Sequence, residues 1–240
     1  MLKVMELLRV NSFFQAQVVK RLNRFAVLVK KEGKLLKAHN TNSGRLKEFL
    51  TEGKTVLCLP KSGKKTDCQL FAVEDLKGLF AVTDTNLQMV AFEKAFLKGL
   101  LPWLSPSRWK LIRRNAPLGK NSLIDYLFRE RGTEKPLYLE IKSAVLRSGD
   151  NFGMYPDCPT ERGRKHLREL LENSSISGLL FVCALPSVEG FKPYCKGDEE
   201  ICKLLKEAKE RGLPVRAISL HFNPQKRAVV LENPDLRVEI

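Results

Sequence analysis

The sequence predicts an α+β or α/β chain in two parts, a small β-barrel followed by a mixed sheet flanked by helices. Three observations lead there. Residues 1–82 hold short runs rich in β-branched and aromatic residues, separated by turn formers. From residue 83 onward, apolar strands alternate with helix-length segments that carry recognisable starts and stops. Charge is uneven as well. Residues 1–78 hold 16 Lys/Arg against 7 Asp/Glu, and residues 79–240 hold 26 against 20, so the first third is far more basic per residue.

In the first part, Phe25–Lys30, Thr55–Leu59, Gln69–Glu74 and Leu79–Val82 read as strands. Glu32-Gly33, Asn42-Ser43-Gly44, Glu52-Gly53 and Ser62-Gly63 read as the turns between them. Several short strands with regular turns suit a closed or partly open barrel, of which an OB-like barrel is one form. A basic barrel of that kind suits single-stranded nucleic acid. Residues 1–82 are therefore expected to form one domain and residues 83–240 the other.

The second part opens with a helix over 85–98, capped by Asp84 or Thr85 and stopped by Gly99. Two strands follow, Leu123–Phe128 and Leu137–Leu146, joined by a polar turn over Arg129–Pro136. A helix over 161–173 enters through Thr160, and the apolar run 178–185 is a buried strand. Asp198 caps a further helix that buries Ile201, Leu204, Leu205 and Ala208 and ends at Gly212. Pro214 then introduces the strand VRAISL.

With 43% hydrophobic residues among 240, the chain has material for a real core, which excludes global disorder. A net charge of +15 creates a field that attracts polyanions. No apolar run approaches the roughly 18 residues of a membrane span. The first ten residues lack a signal-peptide pattern, so a cytoplasmic location is expected. The six cysteines form no C-x-x-C pair, so zinc and a disulfide-linked partner are not expected. Cys183, inside GLLFVCAL, reads as a buried thiol, and no chemistry is assigned to the cysteines.

The chemistry-bearing segment is Tyr138–Leu146 with the strand before it. On a strand, Glu140 and Lys142 share one face while Leu139 and Ile141 take the other. Asp125 stands alone as a charge among apolar neighbours, so it needs a cation or donor close by. If the two strands pair, Asp125 and Glu140 converge, and two carboxylates with waters and a substrate phosphate suit Mg²⁺. A bound metal acidifies water and neutralises phosphoryl charge, which is what phosphodiester hydrolysis requires. Lys142 would then orient the water or stabilise the developing charge. A D…E-x-K spacing is the pattern of the PD-(D/E)XK nuclease fold, although spacing alone fits a cross-strand ion pair better. Glu93, with Met89, Val90, Phe96 and Leu97 at helical spacing, is a candidate third carboxylate, weighed evenly against a Glu whose head reaches solvent. Arg162, Lys165, His166 and Glu169 share a helix face near the helix start, where clustered cations suggest an external anion, or else simply form a solvated face.

Together these stretches resemble the sugar fermentation stimulation protein A family over nearly the full length. The matching segments are RLNRFAVLV at 21–29, AHNTNSGRL at 38–46, TDTN at 83–86, NSLIDYLF at 121–128, YLEIKSAVL at 138–146 and YPDCPTERGRKHLREL at 155–170. The resemblance implies an OB-like N-terminal domain, a PD-(D/E)XK nuclease-like C-terminal domain and DNA binding with little sequence preference. By analogy Asp125 and Glu140 become metal carboxylates and Lys142 the motif lysine. Asp157, Thr160, Arg162, Lys165 and His166 match the second signature and are assigned to substrate positioning. The family usually reads S-R-I-D before the first carboxylate, whereas this chain reads Ser122-Leu123-Ile124-Asp125. The cation lost at Leu123 leaves Arg113 or Arg114 to replace it.

The leading expectation is a nuclease using Mg²⁺, with Mn²⁺ as a substitute. Asp125, Glu140 and Glu93 would hold metal, while Arg21, Arg24, Lys30, Lys37 and Arg45 hold the nucleic-acid backbone. The alternatives are a non-catalytic DNA-binding protein with a regulatory role in sugar metabolism, and an RNA-binding or RNA-processing factor. DNA is the expected partner, and the sequence leaves the oligomeric state open.

Overall fold

A computed structural model describes residues 4–61, 65–119 and 122–240, so the Ser62-Gly63 turn lies outside the described residues. In chain order the elements are β1 (Met5–Arg9), β2 (Phe14–Asn23), β3 (Ala26–Lys31), β4 (Lys34–His39), β5 (Thr55–Pro60), β6 (Cys68–Leu76), β7 (Leu79–Val82) and α1 (Thr85–Leu97). There follow β8 (Trp109–Leu118), β9 (Ser122–Glu130), β10 (Pro136–Ser143), β11 (Leu146–Arg147), β12 (Phe152–Tyr155), α2 (Glu161–Glu172), β13 (Ser177–Cys183) and β14 (Gly190–Pro193). The chain ends with α3 (Glu199–Glu210), β15 (Val215–Asn223), β16 (Ala228–Asn233) and β17 (Arg237–Val238). Two compact units result. One comprises residues 1–94, 184–187 and 219–233, and the other residues 95–183, 188–218 and 234–240. The expected cut at 82/83 was a single one, whereas contact assigns two later segments to the first unit.

In the first unit, β2 pairs with β3, β3 with β4, β4 with β6, β6 with β5 and β5 with β2. Those five pairings close on themselves, so the barrel has no open edge. Closure suits the sequence. Ala16, Val18, Val27, Val29 and Ala38 each fall on the inward phase of their strand and are buried. The two-residue turn Glu32-Gly33 has φ of 47° and 83°, the mirror-image hairpin turn that matches strand twist. Outside the barrel, β7 extends β6, and β16 pairs with both β1 and the second half of β15. Phe13, Phe71 and Phe222 meet edge to face at 5.1–6.0 Å in this unit's core.

The second unit is a mixed sheet with few helices. β9 is antiparallel to both β8 and β10, while β10 runs parallel to β13. β13 is buried along its whole length, as its uninterrupted apolar run predicts. A four-stranded sheet, β11-β12-β14-β17, accompanies it. The expected strand Leu137–Leu146 ends at Ser143, and Leu146 joins β12 in this second sheet. α2 and α3 bury the stripes the sequence marked, including Leu167, Leu170, Leu171, Ile201, Leu204 and Leu205.

One expectation about the cysteines is corrected. Cys195 and Cys202 form an intrachain disulfide with Cα atoms 5.5 Å apart. Their seven-residue separation folds back because Asp198 starts α3 between them, placing Cys202 in the first turn of that helix. Asp198 also does more than cap. It accepts from Ile201 N–H, from Thr160 N–H at 2.9 Å and from Arg164 Nε at 2.9 Å, so one carboxylate fastens the starts of α2 and α3. Burial pushes its acidity the other way, but those donors prevail and hold the carboxyl below its ordinary value. A depressed folded value stabilises the protein above the unfolded carboxylate range near pH ~4, and that contribution disappears as pH falls through the folded value. Asp198→Ala is expected to lower unfolding free energy by about 2–4 kcal/mol at pH 7 in urea titrations. The gap between variant and parent should narrow steadily below pH ~4, and a gap independent of pH would refute the charge-based account.

Candidate active site

The β9–β10 ladder runs from Arg129 opposite Pro136 to Tyr126 opposite Leu139. At the next rung, Asp125 faces Glu140, and side chains take over from backbone. Asp125 Oδ2 accepts from Ile141 N–H at 2.7 Å, and Glu140 Oε2 accepts from Asp125 N–H at 3.3 Å. Each carboxylate thus crosses to the other strand, which fixes both on the same rung. Glu140 Oε1 meets Lys142 Nζ at 2.5 Å, as the two-residue alternation predicts. The same oxygen meets His166 Nδ1 at 2.5 Å, a contact no spacing rule could have shown.

Burial sharpens the electrostatics. Glu140 is only 2% exposed. Burial would raise its pKa, but Lys142 and His166 outweigh it and keep the carboxyl below its ordinary value. Lys142 is likewise opposed by burial, yet Glu140 dominates and holds the ammonium more firmly protonated than usual. Among the described residues, Asp125 has no such cation in an ion pair. Burial, then the charge of Glu140, push its carboxyl up to about 6, against the backbone bond from Ile141. Tyr155, raised by burial, stays a neutral phenol beside Lys142.

α2 delivers His166. Thr160 caps it, its hydroxyl accepting from Gly163 N–H at 3.1 Å. Position 163 has to be glycine, since a Cβ there would stand 2.6 Å from the Tyr155 hydroxyl. That close approach seats the first turn against Tyr155 and aims His166 inward. The face inferred from the sequence therefore splits. His166 is buried on Glu140, whereas Arg162 and Lys165 are exposed. Asp157 is half-buried, and Thr160 serves the helix start. Glu169, read from the sequence on the same helix face as His166, also borders the site. One turn beyond His166, it accepts from the Ser122 hydroxyl at 3.3 Å, three residues before Asp125. Leu123 is 53% exposed, and Arg113 and Arg114 are exposed on β8.

For Glu93 the sequence leaves a buried and a solvent-reaching head evenly weighed. The buried stripe of α1 is Gln88, Ala91, Phe92, Ala95 and Phe96, so Glu93 is only half-buried and Leu97 is 64% exposed. Among the described residues, no group of three or more His, Cys, Asp or Glu side chains gathers at metal-holding distance. Asp125 and Glu140 nevertheless suit a hard divalent cation, which takes oxygen donors. The raised Asp125 carboxyl is the imbalance such an ion would relieve.

The basic candidates of the first unit divide into two kinds. The Arg21 guanidinium donates to the carbonyls of Asn23, Arg24, Gly44 and Arg45, so it clamps the turn rather than reaching outward. Arg24, Lys30, Lys37 and Arg45 are exposed. Cross-strand register sets Lys20 and Lys37 on either side of Leu28, and Lys30 between Gln17 and Leu35, so Lys20, Lys30 and Lys37 share the barrel's outer face.

A closed barrel in one unit and a mixed sheet bearing this rung in the other define a protein with an OB domain joined to a second, sheet-built domain. Family models agree on both parts: the "SfsA N-terminal OB domain" matches residues 19–82, and the "Sugar fermentation stimulation protein RE domain" matches residues 86–226. The chain belongs to the sugar fermentation stimulation protein family. A homolog from Pyrococcus furiosus is 41% identical over 98% of this chain and all of its own length. One from Archaeoglobus fulgidus is 43% identical with the same coverage. A solved structure, described as Pyrococcus furiosus SfsA in complex with Ca²⁺, superposes with a TM-score of 0.90 at 40% identity, covering 98% of this chain and 100% of that one.

The Asp125 imbalance has a measurable consequence. A raised folded value means stability that is complete below the unfolded value and lost as pH rises through about 6. Two units correspond to about 3 kcal/mol at most. In chelator at pH 7.5, Asp125→Asn is expected to be more stable than the parent by about 1–3 kcal/mol, with the difference gone near pH 4. A variant less stable at pH 7.5 would contradict the assignment.

Proposed function

We propose that the chain is a divalent-metal-dependent nuclease hydrolysing phosphodiesters in nucleic acid, DNA foremost. The observation that carries this reading is the rung itself, two carboxylates on paired strands with a lysine ammonium on the same face. That arrangement is the D…E-x-K pattern of PD-(D/E)XK nucleases. Asp125 and Glu140 would hold Mg²⁺, or Mn²⁺ in its place. Such an ion supplies an acidified water and withdraws charge from the phosphoryl oxygens. The Ca²⁺ complex of the Pyrococcus furiosus relative supports affinity for hard cations within the family.

The chain's own groups take distinct parts. Lys142 is held protonated by Glu140, so it is unsuited to accept a proton at neutral pH. Its part is to place positive charge beside a phosphoryl oxygen. His166 grips Glu140 Oε1 and keeps that carboxylate aimed while Lys142 shifts toward substrate. Tyr155 walls the lysine off from solvent. Exposed Arg162 and Lys165 would meet the strand's phosphates, and in the first unit exposed Arg24, Lys30, Lys37 and Arg45 would offer phosphate contacts of their own. Exposed Leu123, standing where relatives carry a cation, favours a second reading as a DNA-binding regulator that does not cleave.

Incubation with labelled single- and double-stranded DNA and RNA, in Mg²⁺, Mn²⁺ or chelator, separates the two readings. Asp125→Ala and Glu140→Ala are each expected to abolish metal-dependent cleavage while leaving binding in chelator within about threefold. Cleavage that survives both substitutions would move the chemistry elsewhere. Binding itself should weaken steeply with salt, because the affinity comes from counterion release. An affinity indifferent to salt would exclude phosphate contacts as its source.

A further inference from the structure

Far along the chain from the carboxylates, the barrel end beside the Glu32-Gly33 turn opens into a cavity of about 830 Å³. Phe14, Lys31, Glu32, Lys34, Lys61 and Asp67 are among the residues that line it. Register explains why. Val29 lies opposite Leu36 on the barrel's inner side, so the next rung on that side is Lys31 opposite Lys34. Phe14 falls in phase with buried Ala16 and Val18, which makes its ring the floor.

Two lysines directly across from each other repel, an arrangement that strands normally avoid. Lys61 brings a third cation to the same mouth. Lys31 Nζ lies 4.9 Å from the centroid of the Phe14 ring. Among the described residues, none of the three lysines is in an ion pair. Two carboxylates share the mouth, Glu32 and Asp67, the latter accepting from the Lys37 backbone N–H at 2.7 Å, so the lysines leave a surplus of positive charge rather than a balance.

We propose that this barrel mouth is a nucleotide site, with a base against Phe14 and its phosphate among Lys31, Lys34 and Lys61. A small inorganic anion would leave the ring and most of the volume unused, and an apolar ligand would leave the surplus positive charge unmet. The volume lies within the range of small-ligand pockets, which recur at the mouths of β-barrels. Base-on-aromatic stacking flanked by cations is also how single strands are held. A free nucleotide and the end of a single strand share this chemistry. The site is independent of cleavage, and its test runs in chelator.

The full chain is titrated at low salt with 5′-dTMP and with a fluorescent short oligothymidylate. Lys34→Glu with Lys61→Glu is compared with Lys47→Glu plus Lys226→Glu, exposed positions in the same compact unit with an equal charge change. The mouth pair is expected to weaken binding about tenfold or more, the control pair about twofold. Phe14→Leu keeps an apolar floor and should weaken dTMP by about fivefold or more, while leaving inorganic phosphate unaffected. Displacement of the oligonucleotide by dTMP identifies a free-nucleotide site, and binding of the oligonucleotide alone identifies a strand-end site. Equal losses from the two charge pairs overturn the proposal, as does failure of both probes to bind. A thermal melt checks that Phe14→Leu is folded, and the charge pairs decide the matter if it is not.

Discussion

Glu140 is the constraint around which the second unit is arranged. An ionised carboxylate with 2% exposure must be balanced where it stands. The balance draws on three separate pieces of chain: Lys142 two residues along, the Asp125 backbone on the neighbouring strand and His166 on α2. Each contact dictates something local. Strand alternation has to hold through 140–142, β9 and β10 have to pair in one register, and α2 has to start at Thr160 so that its second turn carries the histidine inward. Buried ion clusters of this sort add little net stability compared with packed apolar side chains. Their value lies in specifying geometry, and here the geometry leaves Asp125 as the group with least compensation.

The sequence was most readable where periodicity and caps carry the information. α2, α3 and β13 sit where their apolar stripes, Thr160, Asp198 and Gly212 put them. The pairing of β9 with β10 was also legible, because two apolar runs joined by a short polar stretch seldom do otherwise. β8 was missed, since its three cations, Lys110, Arg113 and Arg114, hide the alternation. β1, β2, β4 and β16 escaped for a related reason. Their identity as strands depends on partners far away in the chain. The site shows the same limit. Asp125, Glu140 and Lys142 could be read from adjacency, but His166 reaches Glu140 only through the placement of a whole helix. Glu93 stayed evenly balanced because helical spacing cannot say which side of α1 faces the core.

Charge in the first unit is used in two different ways. Arg21 spends its donors on four backbone carbonyls and so acts as internal carpentry. Lys20, Lys30 and Lys37 stand on the barrel's outer surface, where long-range attraction of polyanions is their natural effect. A net charge read from composition cannot separate these uses. Register and hydrogen bonding can.

β15 contributes Val215–Ile218 to one compact unit and Ser219–Asn223 to the other. Phe222, at its far end, supplies one of the three rings at the heart of the N-terminal unit, and β16 hands that unit Val229, Val230 and Leu231, all fully buried. The N-terminal unit is consequently finished only by residues 219–233, far downstream of the barrel. A ribosome must extend the polypeptide through residue 233 before that core can close, and a gene fragment ending near residue 94 would yield a barrel with its aromatic cluster unfilled. Fragment biochemistry on this protein would then report on an incomplete core rather than on a domain.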